Sequence, residues 1–174
     1  MISPAWCRMM AAYNAEMNRR LHAAADTLDD AVRRADGGAF WGSIHGTLSH
    51  LLWGDTTWMG RFDGWDPAPV GMRDSPRMVQ DWAALRAARV AADARIIDWA
   101  AGLTDQRLAA PLTWYSGASG REATMPLWVT VGHMFNHQTH HRGQAHALVT
   151  RAGAAAGDTD LPWVVDLADL SILP

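Results

Sequence analysis

Five of the chain's eight histidines fall in the stretch His133-Met134-Phe135-Asn136-His137-Gln138-Thr139-His140-His141-Arg142-Gly143-Gln144-Ala145-His146. On a helical wheel of about 100° per residue, with His137 at zero, Leu127, Met134, Ala145 and Leu148 fall between roughly 20° and 80° and define a buried stripe. His137 and His141, at about 0° and 40°, lie on its flank, whereas His133 and His140 sit further out and His146 points away. Side chains four apart on a helix stand one above the other, so this pair can offer a ring nitrogen each to one ion. His-x-x-x-His is a divalent-metal pattern. In a histidine-rich chain it also arises from imidazoles that merely share a turn.

The other reactive residue types narrow the chemistry. Cys7 is the single cysteine, so an internal disulfide and a cysteine-rich zinc site are both excluded. All fifteen basic residues are arginine, which removes lysine-based Schiff-base chemistry. Glu16 and Glu122 are the only glutamates, too few for the Glu-x-x-His pairs of a di-iron bundle. Any metal must therefore be held by histidine and carboxylate. Upstream, His45 and His50 flank opposite sides of one predicted helical stripe, and wheel geometry does not choose between them. Asp55 falls on the stripe itself, where a carboxylate needs a donor or an ion. It is either a hydrogen-bonded structural group or a partner to a metal-bound histidine.

The text around the pair, Asn136-His137-x-Thr139-x-His141-Arg142-Gly143-Gln144, resembles the hallmark of the DinB/YfiT-like metalloprotein superfamily. The resemblance extends to Tyr13-Asn14 with Asn18, and to His50-Leu51-Leu52-Trp53-Gly54-Asp55. It implies a four-helix bundle in which His50, His137 and His141 bind a divalent metal ion, with zinc and nickel both suited to imidazole. His45 matches nothing in that pattern and is expected to be solvated. Three ligands with open coordination would let the ion activate water or a bound thiol. Characterised members of the family it resembles include thiol-dependent transferases and isomerases and metal-dependent hydrolases. The expected activity is thus thiol S-transferase-like or hydrolase-like, with an external low-molecular-weight thiol in the first case. The alternative is a metal-containing binding protein without turnover. A homodimer is also expected, from dimers among relatives and from the apolar tail near Trp163.

Four amphipathic helices must position these residues. The first starts at Ser3-Pro4, a cap followed by the residue that needs no amide hydrogen, and carries Trp6, Met10, Tyr13, Met17 and Leu21. Asn14 and Asn18 flank that stripe, as surface amides or as support for the site. The second runs from about Phe40 to Phe62 with Phe40, Ile44, Leu48, Leu51, Trp58 and Phe62 inward. Trp53 and Trp58 are candidates to wall a pocket there, and core packing is the plainer role for Trp58. A long connection rich in proline and glycine follows, and Ser75-Pro76 then repeats the start signal for a third helix ending near Gly102. Thr104 begins a short extra helix. Leu112–Tyr115 and Arg121–Thr124, flanking the turn at 116–120, read as a small β-hairpin before the last long helix, Pro126 to Arg151. Gly143 inside that helix costs about 1 kcal/mol relative to alanine, which suggests that another backbone comes close. Arg142 is free either to contact an anionic substrate or to form an ion pair. Leu161–Leu167 is apolar enough to dock.

The fold class is therefore all-α, a four-helix bundle forming a single domain over residues 1–174. Apolar residues make up 49% of the chain and charged ones 19%, which argues for a packed core rather than disorder. A net charge of −3 with no basic run argues against nucleic acid as a partner. No apolar run is long enough to span a membrane and no signal peptide is visible, so a cytoplasmic location is expected.

Overall fold

A computed structural model describes residues 1–117 and 119–170. Four long helices form the frame: α1 (Pro4–Asp26), α3 (Ile44–Asp63), α4 (Trp82–Ala101) and α6 (Leu127–Arg151). Between them lie the short helices α2 (Asp30–Arg34) and α5 (Asp105–Ala109) and the hairpin β1 (Pro111–Ser116) and β2 (Arg121–Pro126). A last short helix, α7, spans Leu161–Val164. The main contacts run from α1 to α4 and α6 and from α3 to α4 and α6. Consecutive long helices α1 and α3 thus occupy one diagonal, and α4 and α6 the other. A chain that crosses a diagonal needs more than a tight turn, which accounts for the α2 segment and for the α5–hairpin insertion.

Local signals start each helix. The Ser3 hydroxyl accepts from the Trp6 amide at 3.1 Å, with Pro4 in the first turn. Ser43 caps α3 by accepting from the Gly46 amide at 2.9 Å, and Thr104 caps α5. Gly64 ends α3 in the left-handed region at φ 68°, where a side chain would be strained. The interior is continuous across all four helices and includes Leu48, Leu51, Met59, Leu85, Ile96, Val131, Met134 and Phe135.

Three expectations need correction. The second long helix starts at Ile44 rather than near Phe40, because Ala39 and Gly42 pair as a tight turn and Ser43 takes the cap. Phe40 is 74% exposed and does not belong to the apolar face. The third long helix starts at Trp82, where Asp81 accepts from the Ala84 amide at 2.7 Å. Ser75-Pro76 instead lies within a 3₁₀ turn, Met72–Arg77, whose Ser75 hydroxyl donates back to the Met72 carbonyl at 2.6 Å. Gly143 meets no neighbouring backbone, since a Cβ placed there would stand in open space.

The hairpin is present, in antiparallel register from Pro111 opposite Pro126 to Ser116 opposite Arg121; Ala118 of its turn lies outside the described residues. The tail docks as expected, with Val165 buried against Tyr13 and Met17, but Trp163 is 85% exposed. Among the described residues no helix is long and apolar enough to cross a membrane.

Candidate metal centre

His50 comes from the middle of α3, and His137 and His141 from the facing turns of α6, where these two helices pack together. One ligating atom from each imidazole lies within 4.8 Å of the others. The Nε2 atoms of His50 and His137 are 3.1 Å apart. Two nitrogens each about 2.1 Å from a tetrahedral ion would stand about 3.4 Å apart, so the spacing suits zinc-like coordination.

The outer hydrogen bonds fix which nitrogen of two of the rings carries the proton. Ser75 spends its O–H on the Met72 carbonyl, so toward His50 its oxygen accepts, and His50 Nδ1–H donates to it at 2.8 Å. That leaves the His50 Nε2 lone pair aimed at the cluster. His141 Nδ1–H likewise donates to the Gln144 Oε1 at 2.8 Å, freeing its own Nε2. Two lone pairs converge on one spot beside a third imidazole, a donor set that fits a divalent cation.

Burial keeps the set neutral. It drives His50 down to about 3 and His137 down to about 4, and the neighbouring imidazoles push both the same way. His141 is lowered mainly by burial, against a raising hydrogen bond from Gln144. Neutral imidazole is the form that binds metal.

Two tryptophan rings stack on His50. Trp41 stacks at 4.0 Å between ring centroids and Trp53 at 5.4 Å, and the Trp53 indole N–H is tied to the Val70 carbonyl at 2.8 Å. Trp58 stands one turn further on, against Phe62, Trp114 and the exposed His133. His140 lies 4.9 Å from His141, also on the exposed rim. Gly54 leaves the space that the His137 ring occupies, since a Cβ there would sit 2.9 Å from His137 Cε1.

The structure separates the other candidates from the cluster. Asp55 is fully buried and pairs with Arg89 at 2.7 Å while accepting from the Gln138 amide, so it is a structural group rather than a partner to a histidine. Burial raises its pKa, with Arg89 opposing that shift. Asn18 donates to Asp93 at 3.0 Å, and Asp93 in turn binds Arg89 at 2.9 Å. Asn14 accepts from Arg142, whose guanidinium reaches toward α1. His45 is 3% exposed rather than solvated, because its Nε2–H donates to the Val79 carbonyl at 2.8 Å. Cys7 is buried and its thiol is pushed up to about 12, so it offers no thiolate at neutral pH.

Trp41, Ser75 and the roles of Gly54 and Gln144 are not evident from the sequence alone. Gly54 and Gln144 stand inside the motifs that carried the resemblance. Ser75 was visible only as a helix-start signal, and nothing local ties Trp41 to His50.

The molecule is thus a diagonal-crossing four-helix bundle with three imidazoles from two facing helices brought close enough to hold one metal ion. The chain belongs to the DinB family, whose sequence profile matches residues 1–171. Among solved structures, one described as "YfiT from Bacillus subtilis is a probable metal-dependent hydrolase with an unusual four-helix bundle topology" superposes with a TM-score of 0.64. The match covers 89% of this chain and 92% of that one at 18% identity, and shows a shared fold. No curated protein matches the sequence.

Proposed function

We propose that His50, His137 and His141 hold one divalent ion, zinc or nickel, and that the protein is a metal-dependent enzyme of the hydrolase or thiol-transferase type. The observation that carries this reading is the three neutral imidazoles whose ligating atoms lie within 4.8 Å, with no fourth histidine, cysteine or carboxylate joining them among the described residues. A three-ligand set leaves an exchangeable position, the arrangement of catalytic rather than structural zinc. When bound, the ion would lower the pKa of a coordinated water or thiol toward neutrality.

This chain's own residues supply the rest. Ser75 and Gln144 orient two of the rings, and Trp41 and Trp53 shield His50 from water. Among the described residues no carboxylate joins the cluster, and the rim imidazoles His133, 5.9 Å ring to ring from His137, and His140, 4.9 Å from His141, are the candidates for proton transfer. A thiol substrate must come from outside, since Cys7 is buried in α1. We further propose a homodimer, supported by exposed Val90 on α4 and Trp163 in the tail. Light scattering would then give twice the 19.0 kDa chain mass, and a monomer mass at tens of micromolar would end that proposal.

The enzymatic reading is tested by loading the chelator-stripped chain with zinc or nickel. Ester and amide hydrolysis and thiol addition to electrophiles are then measured beside His137→Ala. Metal-dependent turnover absent from the variant supports the reading. Metal binding without turnover in any of these assays favours a binding protein.

A further inference from the structure

Helix α6 has a second chemically loaded face. Arg142 is only 5% exposed, yet its guanidinium is bonded to neutral oxygens alone: Asn14 Oδ1, Gln138 Oε1 at 3.4 Å and Thr139 Oγ1 at 3.4 Å. The carboxylates of the same buried network, Asp55 and Asp93, are both taken by Arg89, and among the described residues no carboxylate stands within 4 Å of Arg142. Burial lowers Arg142 to about 10, so it remains a cation at neutral pH. Buried guanidinium groups are ordinarily met by an anion in bidentate contact.

Arg142 lines a cavity of about 240 Å³ between α1, α6 and the tail. Tyr13, Met17 and Leu21 of α1 form an apolar wall, and the tail closes over it through the Tyr13 hydroxyl, which donates to the Thr159 carbonyl at 2.7 Å. Gly143 lines the same cavity. A Cβ at this position would meet no atom within 4 Å, so the helix-interior glycine leaves room rather than accommodating a backbone. The glycine that no packing explains and the cation that no carboxylate meets thus open on one space.

The geometry points to a binding site here for a small monocarboxylate with a short apolar group, its carboxylate on Arg142 and its apolar part against Tyr13, Met17 and Leu21. The cavity is smaller than the roughly 300–1,000 Å³ of pockets for drug-sized ligands, which limits the ligand to a few carbons or one ring. One cation among mostly apolar walls suits a single negative charge and not a phosphate dianion. The site faces α1, whereas the histidine cluster faces α3, so the two are separate.

The test titrates the full-length, chelator-treated chain with butyrate and benzoate, following backbone amide shifts by NMR, with butan-1-ol and inorganic phosphate as controls. Removing metal keeps carboxylates from ligating an ion at the histidines. Saturable shifts centred on Gly143 and Thr139 are expected with butyrate or benzoate and not with butan-1-ol. Arg142→Gln should weaken binding by about tenfold or more, as expected for loss of a charge-assisted contact. Because that variant removes a buried hydrogen-bonding group, Gly143→Leu serves as the second test. It fills the cavity from an exposed helical position, keeps the helix, and should also weaken binding by about tenfold. His137→Ala should bind as the native chain does. The proposal is overturned by absent or non-saturable butyrate and benzoate binding, by equal binding of butan-1-ol, by tighter binding of phosphate, by unchanged affinity in Gly143→Leu, or by loss of binding in His137→Ala.

Discussion

A missing methyl group decides where the His137 ring can stand. Gly54→Ala would place Cβ 2.9 Å from His137 Cε1, while the helix around it gains about 1 kcal/mol in propensity. The expected outcome is a folded protein, at least as helical by circular dichroism, whose zinc affinity falls by about tenfold or more. Ser75→Ala acts from the other side by removing the acceptor that holds the His50 Nδ1 proton. Zinc affinity measured by chelator competition should drop by about 10–100-fold, with circular dichroism unchanged. Native affinity in both variants would show that neither residue shapes the site. His137 and His141 were legible as a pair because helical spacing is a local property. Ser75 was not, because it lies 25 residues from His50 and its Ser-Pro signal fits a helix start as well as a 3₁₀ turn.

At the scale of elements, capping competition explains where reading the sequence succeeded and failed. Ser3-Pro4 started α1 as read, having no rival cap nearby. Ser75-Pro76 lost to Asp81, whose carboxylate caps α4 while the intervening residues serve α3: Val79 receives His45 Nε2–H and donates its own amide to Ser49. The four apolar stripes were legible because burial imposes a 3.6-residue period. The polar network was not, since its members Asn18, Asp55, Arg89, Asp93, Gln138 and Arg142 come from four different helices. That network makes a prediction. Arg89→Met strands Asp55 and Asp93 without their cation, and should lower unfolding free energy by about 3–5 kcal/mol in urea titrations. A change below about 1 kcal/mol would mean that the pair adds nothing that α3–α4 packing does not already supply.

For the whole molecule, acid sensitivity follows from histidines buried in the neutral form. His22 is stacked on Trp82, neither ring nitrogen has a hydrogen-bond partner among the described residues, and burial drives it down to about 3. An unfolded chain protonates this imidazole near pH 6.5, so between those values the unfolded state binds a proton that the folded state refuses. Stability should therefore fall as pH drops from about 6.5 toward 3, by about 1.4 kcal/mol per unit from this residue. In His22→Phe the slope of unfolding free energy between pH 6 and 4 should be smaller by about one proton, and an unchanged slope would contradict the assignment. The bundle brings the three histidines together across α3 and α6, so the proposed binding of one ion there depends on the whole fold. The most direct test loads chelator-stripped protein with zinc, removes the excess, and measures bound metal per chain for the native protein, His137→Ala and His133→Ala. About one ion per native chain is expected, with retention in His133→Ala and loss of most metal in His137→Ala while helicity is preserved. Equal metal content in all three, or equal loss in both variants, would contradict a centre built on His50, His137 and His141.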